Sequence, residues 1–261
     1  GGWIPAYASL HHTRMTLILP SAKDVAHKAW MFRLLRALAD DARLANDLVF
    51  KGDTCAAMRG FLDRFSVDLD FDYVGGAEGM PAMRTRLERL FADLGLEVKD
   101  ASTEVPQYFL KYPVKDGERN TLKFEATTLM SVADKREKVR LADIDRVLAC
   151  HTIETMFAHK LVALVDRYER HGSIAGRDVY DIHHFFLSGF SYDPAVIENR
   201  RGVPAREYLK ELRAFVDRHI TETVINQDLN TLLSRDQFQK IRHILKEETL
   251  AFLDDEIRRL S

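Results

Sequence analysis

Residues Lys51–Asp72 read KGDTCAAMRGFLDRFSVDLDFD, and they carry most of the information about fold and chemistry in this chain. A glycine turn is followed by a short apolar segment and then by Asp68, Asp70 and Asp72 at every second position. Side chains two apart on a β-strand share a face, so a strand over Val67–Val74 puts Asp68 and Asp70 side by side. Carboxylates that close raise each other's pKa unless a positive charge sits between them. A divalent ion of the Mg²⁺ type, which prefers oxygen ligands, is the usual remedy. Gly52, opening a short helix over Thr54–Arg59, offers backbone N–H groups of the kind that receive phosphates.

Upstream of this stretch, Val25, Trp30, Leu34, Leu35, Leu38 and Leu44 recur at helical spacing over Ala22–Leu48. Asp47–Phe50 then reads as a short buried strand feeding Gly52. Past Gly75-Gly76, Pro81 opens a helix over Ala82–Leu94 that Gly95 closes. The period changes over Glu97–Thr103, Gln107–Val114 and Thr121–Thr128, which read as strands, with Asp116-Gly117 as a hairpin turn. From about Thr152 the chain turns helical: Ile153–Leu164, Arg177–Leu187, Ala205–Val216 and Gln237–Leu253 are amphipathic. The expected architecture is α+β. A mixed sheet flanked by helices fills residues 1–148, and an all-helical domain fills 149–261.

An apolar share of 46% beside 30% charged residues is that of a globular chain with a buried core. A net charge of −2 does not mark a nucleic-acid or membrane binder, though a local basic patch is compatible with it. No apolar run is long enough to span a membrane, and Thr16–Pro20 is too short for a signal segment. Cys55 and Cys150 have no metal-binding spacing, so the expectation is a reducing cytoplasm without disulfides or structural zinc. His11-His12 and His183-His184 also lack ligand spacing. The basic run Lys135–Arg140 reads as a solvated connection.

Glu125, in LKFEA, is the best candidate for a third carboxylate on a neighbouring strand. Lys160, Ala163 and Arg167 form one helical stripe, and Asp178 and Asp181 lie three apart on the next helix. An ion-pair lattice joining two helices is the competing reading of that second group.

The Lys51–Asp72 stretch resembles the first motif of the AbiEii/AbiGii toxin family of nucleotidyltransferases, with Lys51, Gly52, Thr54, Arg64, Ser66, Asp68 and Asp70 in matching order. KLVALVDRYERHGSIAGRDVYDIHHF is similar to that family's late motif at Lys160, Ala163, Arg167, Arg177, Asp178 and Asp181. The resemblance implies a DNA-polymerase-β-like nucleotidyltransferase core with the site between it and the helical part. Asp68, Asp70 and Glu125 would hold Mg²⁺, two ions in all, and Glu125 would help activate the acceptor. Gly52, Asp53, Thr54 and Ser66 would border the nucleotide, and Gly52 and Thr54 would face its phosphates. Lys160 would reach the phosphates from the helical side, with Asp178 orienting it, and Arg167 would pair with Asp181. An NTP substrate, an RNA (tRNA-end) acceptor and a cognate antitoxin follow as expected partners. The chain departs from the family at Asp53, where glycine or serine is usual, and a carboxylate there repels a phosphate unless it is turned away or paired. Two rival readings stand beside this one. Asp70–Val74 fits the Asp-x-Asp-x-Val loop of an aspartate-dependent phosphohydrolase, and a degenerate transferase could serve as a non-catalytic nucleotide- or partner-binding module.

Overall fold

The computed structural model describes residues 24–114 and 119–260. The Asp116-Gly117 turn, His11-His12 and Thr16–Pro20 therefore lie outside the described residues.

The first helix, α1 (Val25–Asp40), buries Met31, Leu34, Leu35 and Leu38 on one stripe. Each such side chain contributes roughly 2 kcal/mol on burial. The single helix expected over Ala22–Leu48 breaks at Asp41. The Asp41 carboxylate accepts the backbone N–H groups of Arg43 and Leu44 and so starts a new helix, α2 (Ala42–Asp47). Then come β1 (Leu48–Lys51), α3 (Gly52–Met58) and β2 (Leu69–Tyr73), joined by an irregular return through Arg64. A 3₁₀ turn (Ala77–Gly79) leads into α4 (Met80–Asp93). The expected strands appear as β3 (Glu97–Ala101), β4 (Gln107–Lys111) and β5 (Thr121–Thr127).

Two strands were not expected: β6 (Arg136–Leu141) and β7 (Arg146–His151). The basic run read as a solvated connection is β6 itself. It lies at the outer edge of the sheet and pairs only with β7, so its charged residues can stay wet while its backbone is hydrogen-bonded. The seven strands run in the order β3-β4-β5-β2-β1-β7-β6, with β2 parallel to β5, β1 parallel to β7 and the other pairs antiparallel. The sheet is mixed, as the sequence implies.

After His151 the described chain is helical throughout: α5 (Ile153–His171), α6 (Gly176–Leu187), α7 (Pro194–Arg201), α8 (Ala205–His219), α9 (Glu222–Leu229), α10 (Arg235–Ile241) and α11 (Leu245–Arg259). The helix expected over Gln237–Leu253 is two helices, interrupted between Ile241 and Leu245. Thr152 caps α5 by accepting the Thr155 N–H, and Gly172 ends it at φ +63°. One buried apolar cluster runs from Met31 and Phe71 under the sheet through Phe157 and Phe185 to Leu253. No helix among the described residues is long and apolar enough to cross a membrane.

Candidate active site

Strand alternation sorts β2 cleanly. Leu69 and Phe71 point into the core, and Asp70 takes the opposite face. The pairing register then aligns four polar residues across four strands: Gln107 opposite Glu125, Glu125 opposite Asp70, and Asp70 opposite Lys51. Lys51, Asp70 and Glu125 line a cleft of about 240 Å³ whose far wall is α5, through Met156, His159 and Lys160.

Gly52 is positioned by two independent constraints. Its φ of +75° lies where L side chains are strained, and a Cβ there would sit 2.8 Å from the Asp70 carboxylate. The turn and the first acid of the row are thus packed against each other. Burial, with the Asp68 carboxylate beside it, pushes the Asp70 carboxyl up to about 7. Burial also pushes Asp68 up, against Lys123 and Arg177. Glu125 goes the other way. Although burial raises it, the Lys123 ammonium and the Gln107 amide, which donates at 2.9 Å, hold its carboxyl low.

Asp70 and Glu125 share this face and line the cleft, whereas Asp68 precedes β2 and is not among the lining residues; the oxygens of the three do not close within 4.8 Å of one another, while among the described residues two other groups do. Lys123, two residues before Glu125 on β5, ion-pairs with it, and the charges of Asp70 and Asp68 also act on Lys123. The sequence reading missed Lys123 as a site residue. Its signal was available, because Lys123 and Glu125 share a face on any strand drawn through LKFEA.

The side chains of Thr54 and Ser66 are buried and do not line the cleft. The Thr54 hydroxyl lies 2.5 Å from the Asp68 carbonyl and 2.8 Å from the Ser66 hydroxyl, tying α3 to the approach of β2.

Asp53 is neither turned outward nor left unpaired. It accepts from Lys160 at 2.5 Å and from Arg64 at 2.6 Å. Burial favours its protonation, but the Lys160 and Arg64 charges hold it well below the usual carboxylate range. Lys160 also meets Asp178 at 3.1 Å and Asp181 at 3.0 Å, and these three carboxylates, working against burial, hold it charged. Arg64 grips Asp181 with two hydrogen bonds of 2.6 Å. The expected Arg167–Asp181 pair is replaced by Arg167–Asp178 at 3.2 Å, because Asp181 is already taken by Arg64. Three cations thus face three carboxylates, and Lys160 lines the cleft from within a balanced cluster.

Asp72 belongs to a different group. It accepts from Lys51 at 2.5 Å and from His151 at 2.6 Å, and it is buried. Asp70–Val74 is therefore the body of a strand with its second acid already ion-paired, which is unlike an exposed Asp-x-Asp nucleophile loop.

JHP933 from Helicobacter pylori is similar in structure, with a TM-score of 0.54, 20% identity, and coverage of 93% of this chain and 98% of its own. MenT4, a nucleotidyltransferase toxin from Mycobacterium tuberculosis H37Rv, gives a TM-score of 0.52, 17% identity, and coverage of 92% of this chain and 88% of its own. At such identities the likeness speaks for the fold. No curated protein sequence matches the chain. The family model described as "Nucleotidyl transferase AbiEii toxin, Type IV TA system" matches residues 33–255. The glycine turn, the carboxylate row and the lysine facing them thus sit in a chain that belongs to the AbiEii nucleotidyltransferase toxin family and is a nucleotidyltransferase enzyme.

Proposed function

We propose that the enzyme transfers a nucleoside monophosphate from an NTP to a hydroxyl acceptor, with Asp68, Asp70 and Glu125 holding Mg²⁺. The observation that carries this reading is the Asp70 carboxylate, packed on Gly52, in register with Glu125 and pushed up to about 7 by burial and by Asp68. Carboxylates so poorly compensated fit a divalent cation, and three oxygen donors suit Mg²⁺. Bound there, two Mg²⁺ ions would neutralise the phosphates and polarise the α-phosphorus.

The chain's own residues then divide the remaining work. The acceptor oxygen bonds to the α-phosphorus as the bond to the departing pyrophosphate breaks, and the hydroxyl proton passes to a carboxylate oxygen. Asp70, whose charge is the least compensated of the three, draws the ions most strongly, and Glu125, held low by Lys123 and Gln107, stays ionised beside the acceptor. Gly52 lets the backbone come close to a phosphate without a Cβ in the way. Lys160, kept charged and oriented by Asp178, stands opposite to meet the phosphates, and Asp53 sets how much of that charge they feel.

An RNA acceptor such as a tRNA end, a cognate antitoxin and a cytoplasmic site of action accord with membership of a toxin family. The test incubates the protein with each labelled NTP, Mg²⁺ and total RNA. Labelled RNA and pyrophosphate are expected, and Asp70→Ala should remove both. Absence of NTP binding together with absence of any labelled acceptor would refute the reading.

A further inference from the structure

Beside the carboxylate row, among the described residues, a second cluster of ligating side chains has not been assigned a task in the transfer, although its His151 also lines the cleft. We propose that His151, Asp72 and Asp134 form a second metal site, which takes one first-row divalent transition ion of the Zn²⁺ or Mn²⁺ kind.

One ligand atom from each of these residues lies within 4.8 Å of the other two. They come from three separate places in the chain: β2, the end of β7 and the segment leading into β6. The His151 Nε2 and the Asp72 Oδ2 are 2.6 Å apart. Ligands at about 2.0–2.2 Å around a tetrahedral ion stand roughly 3.3 Å apart, so the His151–Asp72 pair would open by under an ångström to admit one. Asp72 and His151 are buried, and both face a cavity of about 350 Å³ that Asp134 and Ser131 also line. That cavity leaves room for water as a further ligand.

The surroundings fix each ligand. Arg200 can only donate, so its 2.8 Å contact with His159 Nδ1 makes that nitrogen an acceptor. The proton of His159 therefore sits on Nε2 and points at Asp134 Oδ1, 2.7 Å away. The Ser131 N–H donates to the other Asp134 oxygen at 2.9 Å. Lys51 takes the second oxygen of Asp72. A carboxylate aimed in this way by a histidine and a backbone N–H is the kind of outer support that metal ligands receive. His159 is thus a positioning residue and not a ligand.

The donor set names the class of ion. One imidazole nitrogen with two carboxylates favours a borderline transition ion over Mg²⁺, which avoids nitrogen. The ion would replace the proton that His151 shares with Asp72. Asp72 lies two residues beyond Asp70, about 7 Å along the strand, so this site adjoins the carboxylate row without sharing a ligand with it.

The test uses full-length protein stripped with a chelator and titrated calorimetrically with Zn²⁺, with Co²⁺ absorbance as a spectroscopic check. With Mg²⁺ kept in large excess so that the carboxylate row stays filled, one Zn²⁺ per chain should bind, with a cobalt spectrum of mixed nitrogen and oxygen coordination. His151→Asn and Asp134→Asn, shown to be folded by circular dichroism, should each weaken binding by at least about tenfold, as should His159→Phe through Asp134. Asp70→Asn should leave it within about twofold, because no ligand is removed. The proposal is overturned if wild-type protein binds no Zn²⁺, or if binding survives both His151→Asn and Asp134→Asn. It is equally overturned if Asp70→Asn abolishes binding, which would put the ion on the carboxylate row.

Discussion

Asp70 is held where its charge is costly. Its folded carboxyl is pushed up to about 7 by burial and by Asp68, whereas an unfolded aspartate titrates near 4. Between those values the folded chain keeps a proton that the unfolded chain has lost, so stability falls as pH rises, at about 1.4 kcal/mol per unit. Asp70→Asn removes this slope. The chelated variant should outlast chelated wild type at pH 8 by on the order of 2 kcal/mol in urea unfolding while losing all transferase activity. Adding Mg²⁺ should close the gap by stabilising wild type alone. A variant no more stable than wild type at pH 8 would mean that the Asp70 charge is already well compensated.

Asp53 makes the complementary case. Asp53→Asn leaves Lys160 its two other carboxylates and Arg64 its two hydrogen bonds to Asp181, so the folding cost should stay below the roughly 3–5 kcal/mol of breaking an isolated buried pair. The cluster then carries one uncompensated positive charge beside the cleft. NTP binding, followed by calorimetry with Mg²⁺, should tighten by about tenfold, which corresponds to roughly 1.4 kcal/mol. Unchanged affinity would show that the phosphates do not approach Lys160.

The turn from β1 into α3 works as one unit, because Gly52 serves both the backbone and Asp70. Gly52→Ala forces an L side chain to φ +75°, at roughly 1–2 kcal/mol, and drives its Cβ into the Asp70 carboxylate. Thermal unfolding should register a loss of that size, and activity should fall much further, since the displaced group is the proposed ligand. This unit was legible in the sequence because Gly52, Asp68 and Asp70 lie within one contiguous stretch. Lys123 was equally legible, since it shares a face with Glu125; what the sequence leaves open is that β5 pairs in parallel with β2, a non-local choice that brings Lys123 within reach of Asp70's charge. The strands β6 and β7 escaped for a different reason. An edge strand carrying Arg136, Lys138 and Arg140 has the composition of a wet loop, and only its partner β7 makes it a strand. Thr54 and Ser66 lie in that same stretch, but their hydrogen bonds to each other and to the Asp68 carbonyl depend on how α3 packs on the approach to β2, since a hydroxyl can serve a buried carbonyl as readily as a phosphate.

Arg64 ties the sheet to the helices through buried ion pairs. It is buried, sits on the return from α3 to β2, and holds both Asp181 on α6 and Asp53 on α3. Burial favours the neutral form of Asp181, and the Arg64 and Lys160 charges oppose it. Arg64→Ala strips the stronger of those partners, and loss of one member of a buried pair typically costs about 3–5 kcal/mol. Because the apolar cluster is continuous across both parts, that loss should appear as one shifted urea transition and not as separate melting of the helices. Adding Asp181→Asn should recover part of the loss, since the stranded carboxylate is then neutral, and so should low pH, which protonates Asp181 in the single variant. Full additivity of the two substitutions in the urea midpoint would mean that Arg64 stabilises the chain through its other contacts, Asp53 and the Phe65 carbonyl, and not through Asp181.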